Sequence, residues 1–206
     1  MLNTTPALAT TPSFGIRVDY ATPTGTWSVA IGDVNGDGVN DIFVGSGPGT
    51  DGQVWVFDGK TDSLLFQFTA MSGYNNGLLV AAADFNRDGK AEIVVVPDSG
   101  GGPRVQIFDL EGKYINEWKY AGLTCALYLA KDGQMWLLTG TSGQILKLDA
   151  NGKAIGAAGE RGKGLGQFGE AHYMAIGVNG EIFVADTANS RLHVFVKKGD
   201  RVSAAR

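Results

Sequence analysis

A chain of 206 residues with a net charge of −4 and a pI near 5.1 is long enough to bury a substantial core, as one large all-β domain or two small ones. The acidic balance argues against a nucleic-acid partner, whose recognition needs a basic patch, and the sparse basic tail from Lys197 and Lys198 to Arg206 reads as a solvated end. Glycine is abundant at 31 residues, no heptad or long 3.6-residue pattern appears, and no apolar run approaches the roughly 20 residues of a membrane span, so a helical fold and a transmembrane segment are not expected.

Met1 to Phe14 is rich in Thr, Pro and Ala and lacks the positive and apolar regions of a signal peptide, which implies an intracellular chain or a mature or recombinant form. Phe14 to Tyr20 has the look of an orphan outer strand. Four strands are then expected at about Trp27–Gly32, Ile42–Gly45, Gln53–Phe57 and Leu64–Thr69, and four more at Leu78–Ala83, Ile93–Val96, Val105–Phe108 and Tyr114–Tyr120. Val29 to Asp62 aligns without a gap on Val80 to Lys113, an offset of 51 residues.

Between the first two strands of each unit lies an acidic loop. The first is Asp33-Val34-Asn35-Gly36-Asp37-Gly38-Val39-Asn40-Asp41, with oxygen-bearing side chains at positions 1, 3, 5 and 9. Calcium takes six to eight oxygen ligands, including carboxylates and backbone carbonyls. Asp33, Asn35, Asp37 and Asp41 would supply four, and the carbonyl of Val39 a fifth. The second loop offers Asp84, Asn86, Asp88, Glu92 and the carbonyl of Lys90, so two ions are expected. An EF-hand needs a glutamate at position 12 and flanking helices, whereas position 12 here is Val44 or Val95 and strands flank each loop. The competing reading is a pair of Asx-rich hairpin turns without metal, and Arg87 and Lys90 dilute the charge of the second.

From Cys125 onward the repeat changes. The hairpin Asp132 to Leu137 matches Asn179 to Val184 at an offset of 47, and Ser142 to Leu148 matches Asn189 to Phe195 in step. Neither unit has an acidic loop. The single cysteine, Cys125, excludes an internal disulfide and lies in an apolar run that favours a buried thiol.

Four-stranded units repeating every 40 to 50 residues are the mark of β-propeller blades. The expected architecture is one all-β propeller over residues 1–206. It comprises a flexible N-terminus (1–12), a closing strand and linker (13–26), four blades (27–70, 71–121, 122–160 and 161–198) and a tail (199–206). The last blade shows three strands, about Tyr173–Ile176, Glu181–Ala185 and Leu192–Lys197, and the strand at Phe14–Tyr20 would complete it. A five-bladed ring, or an open segment closed by a partner, is the alternative.

Residues 27–118 resemble FG-GAP repeats, the blades of integrin α-type and bacterial propellers, through Val29-Ala30-Ile31-Gly32-Asp33-Val34-Asn35-Gly36-Asp37-Gly38 and its second copy. The glycine-rich turns Gly45 to Gly49 and Ser99 to Val105 fit as well. That resemblance implies calcium on the residues named above and an extracytoplasmic location. Residues 162–196 resemble an NHL repeat through Gly162 to Phe168 and Ile182 to Phe195, departing at Ala171 and Gly177, and residues 125–155 are a weaker NHL-like unit. These resemblances speak for fold more than for function, because propellers host many unrelated roles.

Other constellations read as structural. Asp98 to Pro103 is similar to a serine nucleophile loop, yet it aligns with a blade-one turn and has only His172 and His193 to serve as a base. Gly162 to Gly166 precedes a strand rather than a helix, so it reads as an inter-blade connection and not a phosphate loop. Two histidines do not rebuild the three-histidine zinc site of NHL-type enzymes. Asp186 and Arg191 are expected to brace their hairpin as an ion pair. Trp27, Trp55, Trp118 and Trp136 should mostly pack between blades, with one or two left as contact anchors.

The leading expectation is a non-enzymatic, calcium-stabilised interaction or scaffolding module with a protein partner, compatible with self-association or with a place as a structural subunit of a larger assembly. The alternative is a small lyase or hydrolase working in the central channel. It predicts a pocket lined by His172 with acidic neighbours.

Overall fold

Short β-branched and aromatic runs between glycine turns fold as strands throughout the computed structural model, which describes residues 19–22, 25–84, 91–98, 100–129 and 134–196. The first blade is β1 (Thr26–Gly32), β2 (Asp41–Ser46), β3 (Gln53–Phe57) and β4 (Leu64–Thr69), paired antiparallel in chain order. The second is β5 (Leu78–Ala83), β6 (Glu92–Pro97), β7 (Arg104–Phe108) and β8 (Tyr114–Lys119). The third is β9 (Thr124–Leu129), β10 (Met135–Thr139), β11 (Gln144–Leu148) and β12 (Ala154–Ala158). A short parallel pair, β13 (Glu160–Arg161) with β14 (Gln167–Phe168), links it to the fourth. That blade has β15 (Ala171–Ile176), β16 (Ile182–Asp186) and β17 (Arg191–Phe195). One 3-10 turn, Thr187–Asn189, is the helical element among the described residues.

Each interior sheet is buried on both faces, so its middle strands read as continuous apolar runs. β6, Glu92–Pro97, is buried along its whole length. The core is a series of joints between successive sheets. Phe43, Val54 and Val56 on the trailing face of blade one meet Leu78, Ile93, Val95 and Phe108 on the leading face of blade two. Val94, Val96, Val105, Ile107 and Trp118 then meet Met135, Leu137, Leu146 and Leu148. Leu138 and Ile145 meet Phe168, Ala171 and Val184. Each such buried aliphatic or aromatic side chain contributes about 1.5–3 kcal/mol of transfer free energy.

The four-bladed propeller expected from the repeats is therefore the architecture observed, and most strand limits agree within one or two residues. The parallel pair β13–β14 is an addition the repeat pattern did not foretell. Of the expected closing strand, residues 14–18 lie outside the described residues. Its last member, Tyr20, lies against blade one, with its ring 5.0 Å from that of Phe57 and its hydroxyl donating to Asp62. There it covers Val44, Trp55 and Phe57, the outer part of the leading face of that blade.

Candidate metal centre in the first-blade loop

The loop between β1 and β2 is wound by its own side chains. Asp33 accepts hydrogen bonds from the amides of Gly36 (2.7 Å) and Gly38 (2.9 Å), one on each carboxylate oxygen. Asn35 Oδ1 accepts from the Asp37 amide at 2.9 Å, and Asp37 Oδ1 from the Val39 amide at 2.9 Å. These are successive Asx turns, and they require positive φ at Gly36 (77°) and Gly38 (84°), which only glycine adopts without strain.

Asp41 closes the base of the loop. Its carboxylate is fully buried and accepts from the amides of Val34 (2.8 Å), Asn35 (3.2 Å) and Gly59 (3.1 Å). Gly59 makes that approach possible, because a Cβ there would lie 1.9 Å from the Asn40 carbonyl oxygen. The next turn is held in the same way. Asp58 accepts from the amides of Thr61 and Lys60, and these backbone hydrogen bonds lower its pKa. Asn35 Nδ2 donates to Asp58 at 3.3 Å, and the Lys60 ammonium stands 3.5 Å from Asp37 Oδ2.

The donor chemistry suits a hard cation. Asp33, Asn35 and Asp37 carry oxygens at alternate positions on one loop, and a carboxylate keeps acceptor capacity beyond the one or two hydrogen bonds it takes here. Asp41 is committed to backbone donors on both oxygens, which makes it the anchor of the loop in this arrangement. Among the described residues no three acidic, histidine or cysteine side chains converge closely enough to hold an ion, so binding one calls for Asp33 and Asp37 to turn toward a common point and for Lys60 to withdraw. In the second loop, Asn86, Asp88 and Lys90 lie outside the described residues. Asp84 is exposed, and Glu92 is buried at the place Asp41 takes in blade one.

The remaining sequence features fall elsewhere. A cavity of about 180 Å³ opens among the inner strands, lined by Ser28, Val80, Val96, Cys125, Tyr173 and Met174 among others, with neither His172 nor an acidic residue on its wall. Burial pushes the Cys125 thiol up, so it stays protonated at neutral pH. His193 packs at a tilt against Phe168, their rings 4.7 Å apart, with Nε2 3.5 Å from Asp186 Oδ2, and His172 sits where the β15–β16 register shifts. Arg191 pairs with Asp186 at 3.1 Å as expected, and its guanidinium also donates to the carbonyls of Lys163 (2.6 Å), Gly164 (3.0 Å) and Gln167 (2.7 Å), which pins the glycine-rich connection. Ser99, of the serine-containing turn, lies outside the described residues.

Comparison with known proteins agrees with this division of the chain. The FG-GAP-like repeat family matches residues 33–95, and the NHL repeat family matches residues 168–195. Among solved structures, a streptogramin B lyase is similar at 12% identity and a TM-score of 0.61, over 86% of this chain and 53% of the lyase. The WD40 β-propeller domain of Doa1 is similar at 13% identity and a TM-score of 0.58, over 86% of this chain and 52% of that domain. BBS1N, solved in complex with ARL6DN, is similar at 12% identity and a TM-score of 0.57, over 85% of this chain and 53% of the other. The chain thus spans about half the length of these structures, and the likeness is one of fold. No helix among the described residues is long and apolar enough to cross a membrane.

Proposed function

We propose that the chain is a non-enzymatic propeller module that binds a protein partner in an extracytoplasmic setting, with calcium ordering its acidic loops. The observation that carries this reading is the loop Asp33–Asp41, in which the Asp33 carboxylate and two consecutive Asx turns hold oxygen donors at alternate positions above a buried carboxylate anchor. Calcium would neutralise Asp33 and Asp37, displace Lys60 and stiffen the rim of the first blade. The second loop would hold a second ion through Asp84, Asn86, Asp88, the Lys90 carbonyl and Glu92. Extracellular calcium is high enough to fill sites of moderate affinity. A role in protein contact is supported by large apolar side chains left exposed on sheet faces, among them Trp27, Val29, Tyr173 and Leu192, and by the likeness to a propeller solved in complex with another protein.

Thermal melting in calcium and in chelator tests the reading. Filling a site to about 100 times its dissociation constant adds about 2.7 kcal/mol, which in a chain of this size raises the melting temperature by roughly 5–10 °C. The double variant Asp33→Ala with Asp37→Ala loses the loop's side-chain hydrogen bonds in either buffer and is expected to lose, beyond that, the share of the calcium gain that the first loop supplies. Equal melting temperatures of the unsubstituted chain in both buffers contradict the proposal.

A further inference from the structure

The two end sheets of the propeller are unlike its interior ones. On blade one, Val29 and Ile31 of β1 are 68% and 63% exposed, while Trp27, at the bulge of that strand, turns to blade two and donates to Asp98. The residues in register with Val29 and Ile31 on blade two, Val80 and Ala82, pack into the first joint. At the other end, Leu192 is 62% exposed, whereas its counterpart on blade three, Ile145, is 1% exposed inside the third joint. Tyr173 is 59% exposed where blade three carries the packed Ala126. The leading face of blade one and the trailing face of blade four are thus the two halves of the joint that the chain builds three times internally. Among the described residues no core cluster brings them together.

We propose that these faces close on each other across two copies of the chain, giving an eight-bladed ring about a two-fold axis. This assignment names the partner within the interaction-module reading and rests on it. Each end carries the complement of the other end and not of itself, so a second copy supplies both missing halves at once. The layout of the blades has the right span, since the chain superposes on 52% of the WD40 propeller domain of Doa1, as consecutive blades of a larger ring do. The interior joints are made chiefly by the inner strands, β1 on β5, β5 on β9 and β9 on β15. The inner strand is the part of blade one left bare, while Tyr20 covers only the outer part. A two-fold pair forms two such joints in one step and leaves no open end, which favours a closed dimer over a growing chain of copies.

Light scattering on the full chain at micromolar concentration, in calcium and in chelator, reads the outcome directly. The expected mass is twice the 21.6 kDa of one chain in both buffers. Val29→Lys alone and Leu192→Glu alone each place a charge in both joints and are expected to weaken self-association at least about tenfold. Both residues are exposed in the single chain, so each variant keeps its β circular-dichroism spectrum. Mixing the two variants pairs lysine with glutamate at one joint and leaves the other unaltered, which is expected to restore the dimer. A monomer, an open-ended ladder of masses, or a dimer indifferent to both substitutions overturns the second-copy assignment. If that monomer still melts higher in calcium, the ring is lost and the module reading stands.

Discussion

Two residues set what the loop and the last blade tolerate. Gly59 has the Asn40 carbonyl 1.9 Å from where a Cβ would stand, so Gly59→Ala pushes the turn off Asp41 and breaks the amide hydrogen bond that helps anchor the loop. Overpacking of this kind costs about 1–3 kcal/mol, to be read as a lower urea midpoint at unchanged slope. Asp186 is the other. Burial opposes its ionisation, but hydrogen bonds from Asn189, the Glu170 amide, Arg191 and the Gly169 amide outweigh it and hold its pKa at about 2, against an ordinary 3.8. A depressed carboxyl stabilises the fold fully above its unfolded pKa and loses that contribution as pH falls through the folded one. The blade is therefore expected to lose on the order of 2 kcal/mol between about pH 4 and pH 2, a slope that Asp186→Asn flattens in acid melts. The same substitution strips the Arg191 guanidinium of its buried partner and is expected to cost about 3 kcal/mol at neutral pH.

At the scale of the element, strands were easier to read than what joins or covers them. The runs Ile93–Val96 and Gln53–Phe57 are β-branched or aromatic and bounded by turn residues, and they fold at those positions because sheet propensity and burial agree there. The acidic loop was legible as a loop, and its Asx chemistry follows from the order Asp33, Asn35, Asp37. The backbone contacts of Asp41 were not. Position 9 reads as a ligand in the sequence, and it takes the fold to bring the Gly59 and Val34 amides onto its oxygens as well. The Asp186–Arg191 pair was visible from its hairpin spacing, whereas the hold of Arg191 on the carbonyls of Lys163, Gly164 and Gln167 depends on a connection more than twenty residues away in the chain. Arg191→Lys keeps the charge but loses the planar fork, so faster amide hydrogen exchange is expected across Gly162–Phe168.

For the whole molecule, repetition at offsets of 51 and 47 residues gave away a row of blades, because a sheet that cannot bury both faces alone must stack on its neighbours. What repetition does not encode is how the row ends. Val29 and Leu192 carry the residue types of a joint, yet nothing in their neighbourhood in the chain says whether another sheet covers them. Calcium at the rim and a second copy at the ends would make one rigid ring from two short chains, with the acidic loops of both copies on its rim. The claim beneath this picture is that the acidic loops hold ions. Equilibrium dialysis against millimolar calcium, counting ions bound per chain, tests it most directly. The account predicts two per chain, falling to one in the variant that combines Asp33→Ala with Asp37→Ala. No bound calcium, or the same count in both chains, would contradict it.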